Sequence, residues 1–270
     1  MAFTTVNLTE AIGAEVRADV ETLLRPESGP ELRRLLIERG VLLFRELNLS
    51  DEQQVALAAG IGRIRPEGEK GIFKITLDQG ANSQAAYLKG SFNWHLDGTH
   101  DDVPIFASLL SGRKLSEQGG QTEFANSYQA YEELPAALKD RIAGLRVVHS
   151  FAASMRRAGL EPTSADQAYW DSIADKTHNL VWSHENGRKS LVIGCHAAHV
   201  EGMDHAESDA LLQELLDWTT QEKFVYRHQW TVGDLLIWNN TGVLHRVTPY
   251  PLDSGRMMHR TTLLGEEAFA

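Results

Sequence analysis

Apolar residues recur at helical spacing in four segments of the chain, and each segment places them on one face. Gly40 follows the first segment, where a helix would end, and Ser50 with Gln53 forms a capping box at the start of the second. The predicted helices cover Glu31–Arg39, a stretch opening at Ser50 and running to Gly60, a stretch from Pro135 through Leu138 and Ile142, and Glu207–Gln221.

Short runs with strand signals, bounded by turn residues, predict β-strands between and after these helices. The runs are Val41–Phe44, Ala107–Leu110, Leu145–His149, Ser190–Gly194, Lys223–Trp230 and Asp234–Trp238. Several short strands with few helices among them are typical of a sandwich or barrel that carries its helices on the outside. The expected fold class is therefore mainly β with flanking α-helices.

Two polar stretches, Arg65–Ser91 and Ala152–Lys189, show weak periodicity and are predicted to be long loops. Long loops in a compact domain often cover a functional site, but plain surface insertions explain them equally well at this point. No internal repeat, low-complexity tract or Pro/Ser-rich linker divides the sequence. Residues 1–270 are therefore expected to form a single domain.

Composition excludes several protein classes. The 270 residues are 42% hydrophobic and 23% charged, which is ordinary for a globular protein and excludes a disordered or collagen-like chain. The net charge of -11 argues against nucleic-acid and anionic-membrane partners. No secretion signal or long apolar span is apparent, and the single cysteine, Cys195, is predicted to be a buried unreactive thiol. These features predict a cytoplasmic globular protein.

Histidine and carboxylate pairs are the remaining candidates for chemistry, because the common nucleophile and phosphate-binding motifs are missing from the sequence. Four His-x-acid pairs occur: His95/Asp97, His100/Asp102, His199/Glu201 and His205/Glu207. On a strand, such a pair shares one face, and a distant second histidine completes the two-His-one-carboxylate site of non-haem iron oxygenases. The fourth pair lies at a predicted helix start, where the two side chains diverge. Spacing alone does not choose among the other three.

The surrounding motifs distinguish the first pair. The sequence has Trp-His-x-Asp at 94–97, Gly-Gly-x-Thr at 119–122, and Gly-Asp…Trp-x-Asn…His-Arg between 233 and 246. Two arginines follow 11 and 15 residues beyond His245. In these motifs, from about Gly40 to Leu264, the chain resembles the taurine dioxygenase/aryloxyalkanoate dioxygenase (TauD/TfdA) family of Fe(II)- and 2-oxoglutarate-dependent dioxygenases.

The resemblance implies a double-stranded β-helix, the cupin-like jelly roll, as the core of the fold. It implies as iron ligands, and therefore as catalytic residues, His95, Asp97 and His245. For the cosubstrate 2-oxoglutarate it implies Thr122, Arg256 and Arg260, and for the substrate Asn93 and Arg260. Three protein ligands leave room on an octahedral ion for a bidentate 2-oxo acid and O2, and a guanidinium matches a carboxylate with two hydrogen bonds.

The reaction implied is oxidative decarboxylation of 2-oxoglutarate to succinate and CO2, coupled to hydroxylation of a small anionic substrate such as an aryloxy or other carboxylate. Sulfonates and alkyl sulfates of the taurine branch are the alternative. Segments near 66–91 and 152–189 would be lids that exclude water. A zinc hydrolase would leave Thr122 and both arginines unexplained, and a non-catalytic jelly-roll binding protein would need no metal. A homo-oligomer and the roles of His100, His196 and His199 are left open.

Overall fold

The computed structural model describes residues 3–78, 80, 82 and 85–269, apart from the side chain of residue 86. The strands, numbered in chain order, are β1 (Thr4–Asn7), β2 (Ala14–Arg17), β3 (Val41–Phe44), β4 (Phe73–Ile75), β5 (Ala107–Lys114), β6 (Thr122–Asn126), β7 (Arg146–His149), β8 (Lys176–Asn179), β9 (Val181–Ser183), β10 (Lys189–Leu191), β11 (Ala197–Val200), β12 (Val225–His228), β13 (Leu235–Asn239), β14 (Val243–Val247) and β15 (Met257–Leu263). The α-helices are α1 (Val20–Leu23), α2 (Ser28–Arg39), α3 (Asp51–Ile61), α4 (Ser127–Glu132), α5 (Ala136–Ile142), α6 (Phe151–Arg157), α7 (Ser164–Ser172) and α8 (His205–Thr219), with 3-10 helices at Ala85–Phe92 and Glu222–Phe224.

A large sheet has the strand order β1-β2-β3-β13-β5-β15-β4, and its neighbours are antiparallel except for β2 and β3. Two three-stranded sheets, β12-β6-β14 and β11-β7-β8, and the β9–β10 ribbon make up the other strands. Alternate residues of the large sheet enter different cores. Leu42 and Phe44 pack with helices α2 and α3, whereas Val41 and Leu43 pack with Phe124 of the β12-β6-β14 sheet. The two sheets therefore face each other, with helices outside, as predicted.

The predicted helices are confirmed with small shifts at their ends. The capping box of α3 forms as expected, because the Ser50 hydroxyl accepts the amide of Gln53 and the Gln53 side chain accepts the amide of Ser50. Gly40 ends α2 with a φ of 75°, and Asp204 caps the start of α8. Within the described residues, no helix is long and apolar enough to cross a membrane.

The prediction of long loops is wrong for residues 152–189, which contain most of α6 together with α7, β8 and β9. Helix α7 begins at a capping box between Thr163 and Asp166, a local signal that weak apolar periodicity concealed. The stretch 65–91 is closer to the prediction, although it contains β4 and most of a 3-10 helix. Residues 79, 81, 83 and 84 of this stretch lie outside the described residues.

Candidate active site

The site begins with three side chains that converge in the space between the facing sheets. The Nε2 atom of His245 lies 3.4 Å from one carboxylate oxygen of Asp97, and Nε2 of His95 lies 3.7 Å from the other. One ligand atom of each residue falls within 4.8 Å of the others, close enough for one ion to reach all three. Among the described residues, no other group of His, Cys, Asp and Glu side chains has this arrangement.

The backbone brings the two histidines together directly. His95 and His245 form an isolated antiparallel bridge in which each amide donates to the other's carbonyl at 3.0 Å. The premise that His-x-Asp lies on one strand is wrong, because His95 occupies this single bridge and Asp97 begins a turn. The turn is held by Asn240, whose side-chain oxygen accepts the Asp97 amide at 3.0 Å. The amide group of Asn240 donates to the carbonyls of Asp97 and Ile105.

A second connection lies behind the histidines. Arg246, next in sequence to His245, stacks on the ring of Trp94, which precedes His95; the distance from Cζ to the ring centroid is 4.7 Å. The same guanidinium donates to Glu123, a carboxylate only 1% exposed. A cation stacked on an aromatic face and paired with a buried carboxylate has little freedom to move. The two candidate histidine ligands are thus flanked by residues that contact each other.

The electrostatics of the cluster suit a metal ion. Burial lowers the pKa of His95 to about 4, and the neighbouring His245 adds to this effect. Burial alone would raise the pKa of Asp97, but His245, His95 and Arg260 together hold it well below its ordinary value. His95 Nδ1 lies 2.9 Å from the Asn93 carbonyl, so it carries the proton that this contact requires and leaves the Nε2 lone pair free. The cluster therefore presents an anionic carboxylate beside a neutral imidazole.

Arg256 is buried, with 4% of its surface exposed, and it stacks on Tyr250 at 4.8 Å. Its Nη2 atom donates to the Gly120 carbonyl at 3.3 Å, and within the described residues it forms no ion pair with Asp or Glu. Gly120 has a φ of +77°, and a Cβ atom there would lie 3.1 Å from Arg256 Nε. The glycine of the Gly-Gly-x-Thr motif therefore makes room for this guanidinium. Burial lowers the pKa of Arg256, as expected for a cation that lacks a counter-charge.

Thr122 lies on β6 opposite Val247 of β14, in the same register that pairs Phe124 with His245. Its side chain therefore faces the same side of the sheet as His245. The Thr122 hydroxyl accepts the indole N–H of Trp230 at 3.0 Å and retains its own proton for donation. The structure thus places this predicted cosubstrate residue on the face of the sheet that carries His245.

Arg260 points into the same interior from the opposite sheet, because it shares a face of β15 with Met258 of the inter-sheet core. Its charge contributes to the lowered pKa of both His95 and Asp97. Its Nη2 atom lies 3.4 Å from the Glu67 carboxylate, whereas its buried Nε has no partner within the described residues. Arg260 therefore retains a free donor near the candidate metal ligands.

A series of aromatic rings leads away from the metal ligands. His196 lies 6.5 Å from His95 and 5.3 Å from His100, measured between ring centroids. His100 then contacts Phe151 at 6.3 Å, and Phe151 contacts Tyr87 at 5.9 Å. Tyr87 lies in the first of the two segments predicted as lids, and Phe151 immediately precedes the second.

The remaining candidates lie elsewhere. Asn93 lines a cavity of about 670 Å³ whose lining includes Trp94 and Arg246 but none of the three candidate metal ligands. Its role as a substrate contact therefore stays a prediction. Asp102 is exposed and pairs with Lys176 at 2.6 Å rather than with His100. The exposed Glu201 pairs with Arg146. Neither His100/Asp102 nor His199/Glu201 therefore forms part of a metal cluster among the described residues.

Comparison with known proteins identifies the family. Residues 4–262 match the sequence profile of the family described as "Taurine catabolism dioxygenase TauD, TfdA family". The chain belongs to the TauD/TfdA family. Its members are Fe(II)- and 2-oxoglutarate-dependent dioxygenases, which confirms the enzyme class and the cofactors predicted from the sequence. The zinc-hydrolase and binding-protein alternatives are correspondingly disfavoured.

Three similar proteins illustrate the match. The chain is 36% identical to an alpha-ketoglutarate-dependent 2,4-dichlorophenoxyacetate dioxygenase of Cupriavidus pinatubonensis, over 97% of this chain and 93% of that protein. It is 33% identical to a (S)-phenoxypropionate/alpha-ketoglutarate-dioxygenase of Sphingobium herbicidovorans, with 88% and 86% covered. A crystal structure of AAD-2 in complex with Mn(II) and N-oxalylglycine superposes with a TM-score of 0.86 at 30% identity, and all of both chains is covered. The likeness confirms the TauD/TfdA jelly roll.

Two residues of this TauD/TfdA site are not among those predicted from the sequence. Asn240 holds the backbone of Asp97, and its signal is the Asn-Asn pair between Trp238 and His245. Glu67 faces Arg260 from a segment whose sequence shows no motif. Asn240 lies within a sequence motif and could have been predicted from it. The position of Glu67 beside Arg260 is visible only in the folded structure.

Proposed function

We propose that this enzyme hydroxylates a small aryloxy carboxylate, with Fe(II) held by His95, Asp97 and His245. The observation that carries the proposal is their convergence on one point of the inter-sheet space. The donor set suits the ion, because two imidazoles and one carboxylate on one side leave the other positions open. When bound, iron with 2-oxoglutarate and O2 supplies the oxidant for a substrate C–H bond, and 2-oxoglutarate becomes succinate and CO2.

The residues around the cluster then have distinct tasks. Arg256 would bind the distal carboxylate of 2-oxoglutarate, since a buried guanidinium without an acidic partner is costly until an anion reaches it. Thr122 would donate its free hydroxyl proton to the same carboxylate. Arg260 would receive the inner carboxylate of the cosubstrate or the anion of the substrate. His95 and Asp97 hold the metal-binding geometry through the bridge and through Asn240.

The aromatic series supports the choice of substrate class. Rings from His196 to Phe151 and Tyr87 give an aryl group a surface for edge and face contacts, beginning near the metal ligands. Both nitrogens of His100 are buried and have no partner within the described residues, so they are available to a polar atom of the substrate. The named activities of the two relatives point to the same class.

The segments near 66–91 and 152–189 would act as lids over this space, within a single domain spanning 1–270. Tyr87 of the first contacts both Phe151, which immediately precedes the second, and Tyr169 within it. The Tyr87 hydroxyl also donates to the Asp166 carboxylate at 3.0 Å. Closing these contacts over a substrate would exclude water from the metal site.

The test is succinate formation across a panel of phenoxyacetate, phenoxypropionate, taurine and an alkyl sulfate. We expect the aryloxy acids to stimulate turnover above the uncoupled rate. With phenoxyacetate, hydroxylation beside the ether oxygen should release phenol and glyoxylate in equal amounts with succinate. Phenylpropionate, which lacks the ether oxygen, is the control and should give no phenol. Stimulation by taurine or the alkyl sulfate alone would overturn the substrate class in favour of the taurine branch.

A further inference from the structure

Glu67 is an unusual neighbour for a residue expected to bind anions. Its side chain is 19% exposed, and both of its oxygens lie 3.4 Å from Arg260 Nη2. An optimal charge-assisted hydrogen bond is shorter, about 2.7–2.9 Å. The carboxylate is therefore close enough to offset the charge of Arg260 without using its full hydrogen-bonding capacity.

The position of Glu67 is fixed independently of Arg260. The Thr262 hydroxyl donates to the Glu67 carboxylate at 2.5 Å from the same face of β15. Gly68 follows with a φ of +62°, and a Cβ atom there would lie 1.9 Å from the Ile72 carbonyl oxygen. Glu69 and Ile72 close the turn with reciprocal backbone hydrogen bonds. A tight turn and a hydroxyl therefore hold the carboxylate in place.

The guanidinium, in contrast, retains free binding capacity. Its Cζ atom lies over the ring of Phe73, 5.1 Å from the ring centroid, and its buried Nε lacks a partner among the described residues. Glu67 thus faces one edge of the guanidinium while another edge remains available for a ligand carboxylate.

The effect of Glu67 follows from the formal charges of the site. If Fe(II), Asp97, Arg256, Arg260 and a 2-oxoglutarate dianion are counted together, the site retains one positive charge. The carboxylate of Glu67 cancels that charge. A substrate anion entering next would gain little net attraction from this group of charges.

We infer that Glu67 is a specificity-determining counter-charge that weakens the preference of the site for anionic ligands, so that the enzyme also accepts neutral analogues of its carboxylate substrate. This inference rests on the proposed function, because it takes Arg260 as a ligand contact. Thr262 and the turn position the Glu67 carboxylate, and its negative charge weakens the preference of the site for anions.

The first experiment measures N-oxalylglycine binding to the Mn(II)-loaded protein by calorimetry. Glu67→Gln keeps the size of the side chain and an acceptor for Thr262 but removes the charge, so the affinity should rise about tenfold. Glu69→Gln is the matched control, because it removes the same charge from an exposed position in the same turn and should change affinity less than about twofold.

A second variant separates charge from position. Thr262→Val frees the Glu67 side chain but leaves its charge, so N-oxalylglycine affinity should not increase. Equal tightening in Thr262→Val and Glu67→Gln would overturn the inference, because the effect would then come from mobility. If Glu67→Gln does not fold, the Thr262→Val variant decides alone. A higher N-oxalylglycine affinity in Thr262→Val then overturns the inference, and an unchanged or lower affinity supports it.

The third measurement addresses specificity directly, as the ratio of kcat/KM for phenoxyacetate to that for phenoxyacetamide. Glu67→Gln should raise this ratio about tenfold, and Glu69→Gln should leave it unchanged. Equal N-oxalylglycine affinities in the two glutamate variants would overturn this inference alone. A failure of the unsubstituted protein to bind N-oxalylglycine would overturn the proposed function and this inference with it.

Discussion

The two ends of the inter-sheet space are built in different ways. At the metal end, backbone hydrogen bonds join His95 to His245, and Asn240 anchors the backbone of Asp97. At the proposed lid end, ring contacts connect Tyr87 and Phe151, and the Tyr87 hydroxyl donates to the partly exposed carboxylate of Asp166. The metal end is therefore fixed by hydrogen bonds of the main chain, whereas the lid end depends on contacts between side chains.

This difference distinguishes the metal end, which the fold holds in one geometry, from the lid end, which can adapt to different substrates. A backbone bridge tolerates almost no displacement, because moving either strand breaks two hydrogen bonds at once. Ring contacts are individually weak and re-form in several arrangements. We therefore expect substitutions at the metal end to remove function, and those at the lid end to change substrate preference.

The largest effect should come from Asp97→Asn, which removes the anionic ligand and keeps the shape of the side chain. Mn(II) affinity, followed by electron paramagnetic resonance, should fall by more than the 10- to 100-fold that is typical of losing an outer-shell partner. Asp102→Asn is the matched control, since it makes the same change in a His-x-Asp pair whose carboxylate is bound to Lys176 instead. Metal loss in the control but not in Asp97→Asn would refute the ligand assignment.

A smaller effect is expected from Asn240→Ala, which leaves the Asp97 amide and two backbone carbonyls without partners. The free energy of unfolding should fall by about 1–3 kcal/mol. Mn(II) affinity should fall by about 10-fold, because the turn carrying Asp97 is released. Chemical denaturation and metal titration measure the two effects, and the exposed Asn186→Ala serves as control. Lower stability with unchanged metal affinity would show that other contacts hold Asp97.

The same division explains what could be predicted from the sequence. The candidate metal ligands and cosubstrate residues lie in short motifs, so Trp-His-x-Asp and the spacing from His245 to Arg256 were sufficient to predict them. The geometry behind the first motif was not readable, because a single bridge between residues 150 positions apart leaves no local pattern. Glu67 and the helices within 152–189 were missed because their positions depend on long-range packing and on one capping box.

Substitutions at the lid end should have smaller effects. Loss of the ring contacts should change KM more than loss of the hydroxyl. Tyr87→Ala removes contacts with Phe151 and Tyr169, each worth about 0.5–1.5 kcal/mol, and should raise the KM for an aryloxy acid about tenfold. Tyr87→Phe loses only the hydrogen bond to the partly exposed Asp166 and should change KM less than about threefold. Proteolysis within 152–189 should accelerate in the alanine variant alone. Equal increases of KM in both variants would show that the Tyr87 hydroxyl, and not its ring, makes the important contact.

The least perturbing test uses Cys195, whose amide donates to the Trp94 carbonyl next to His95. Burial raises the pKa of this thiol to about 12, so it stays protonated at pH 8.5, where about half of a free thiol is ionised. The folded protein should react with a thiol reagent only as fast as its metal end opens, and one equivalent should react at once in denaturant. Tyr87→Ala should leave that rate unchanged, and Asn240→Ala should increase it. Acceleration in Tyr87→Ala instead would show that the two ends open together, and would remove the distinction between them.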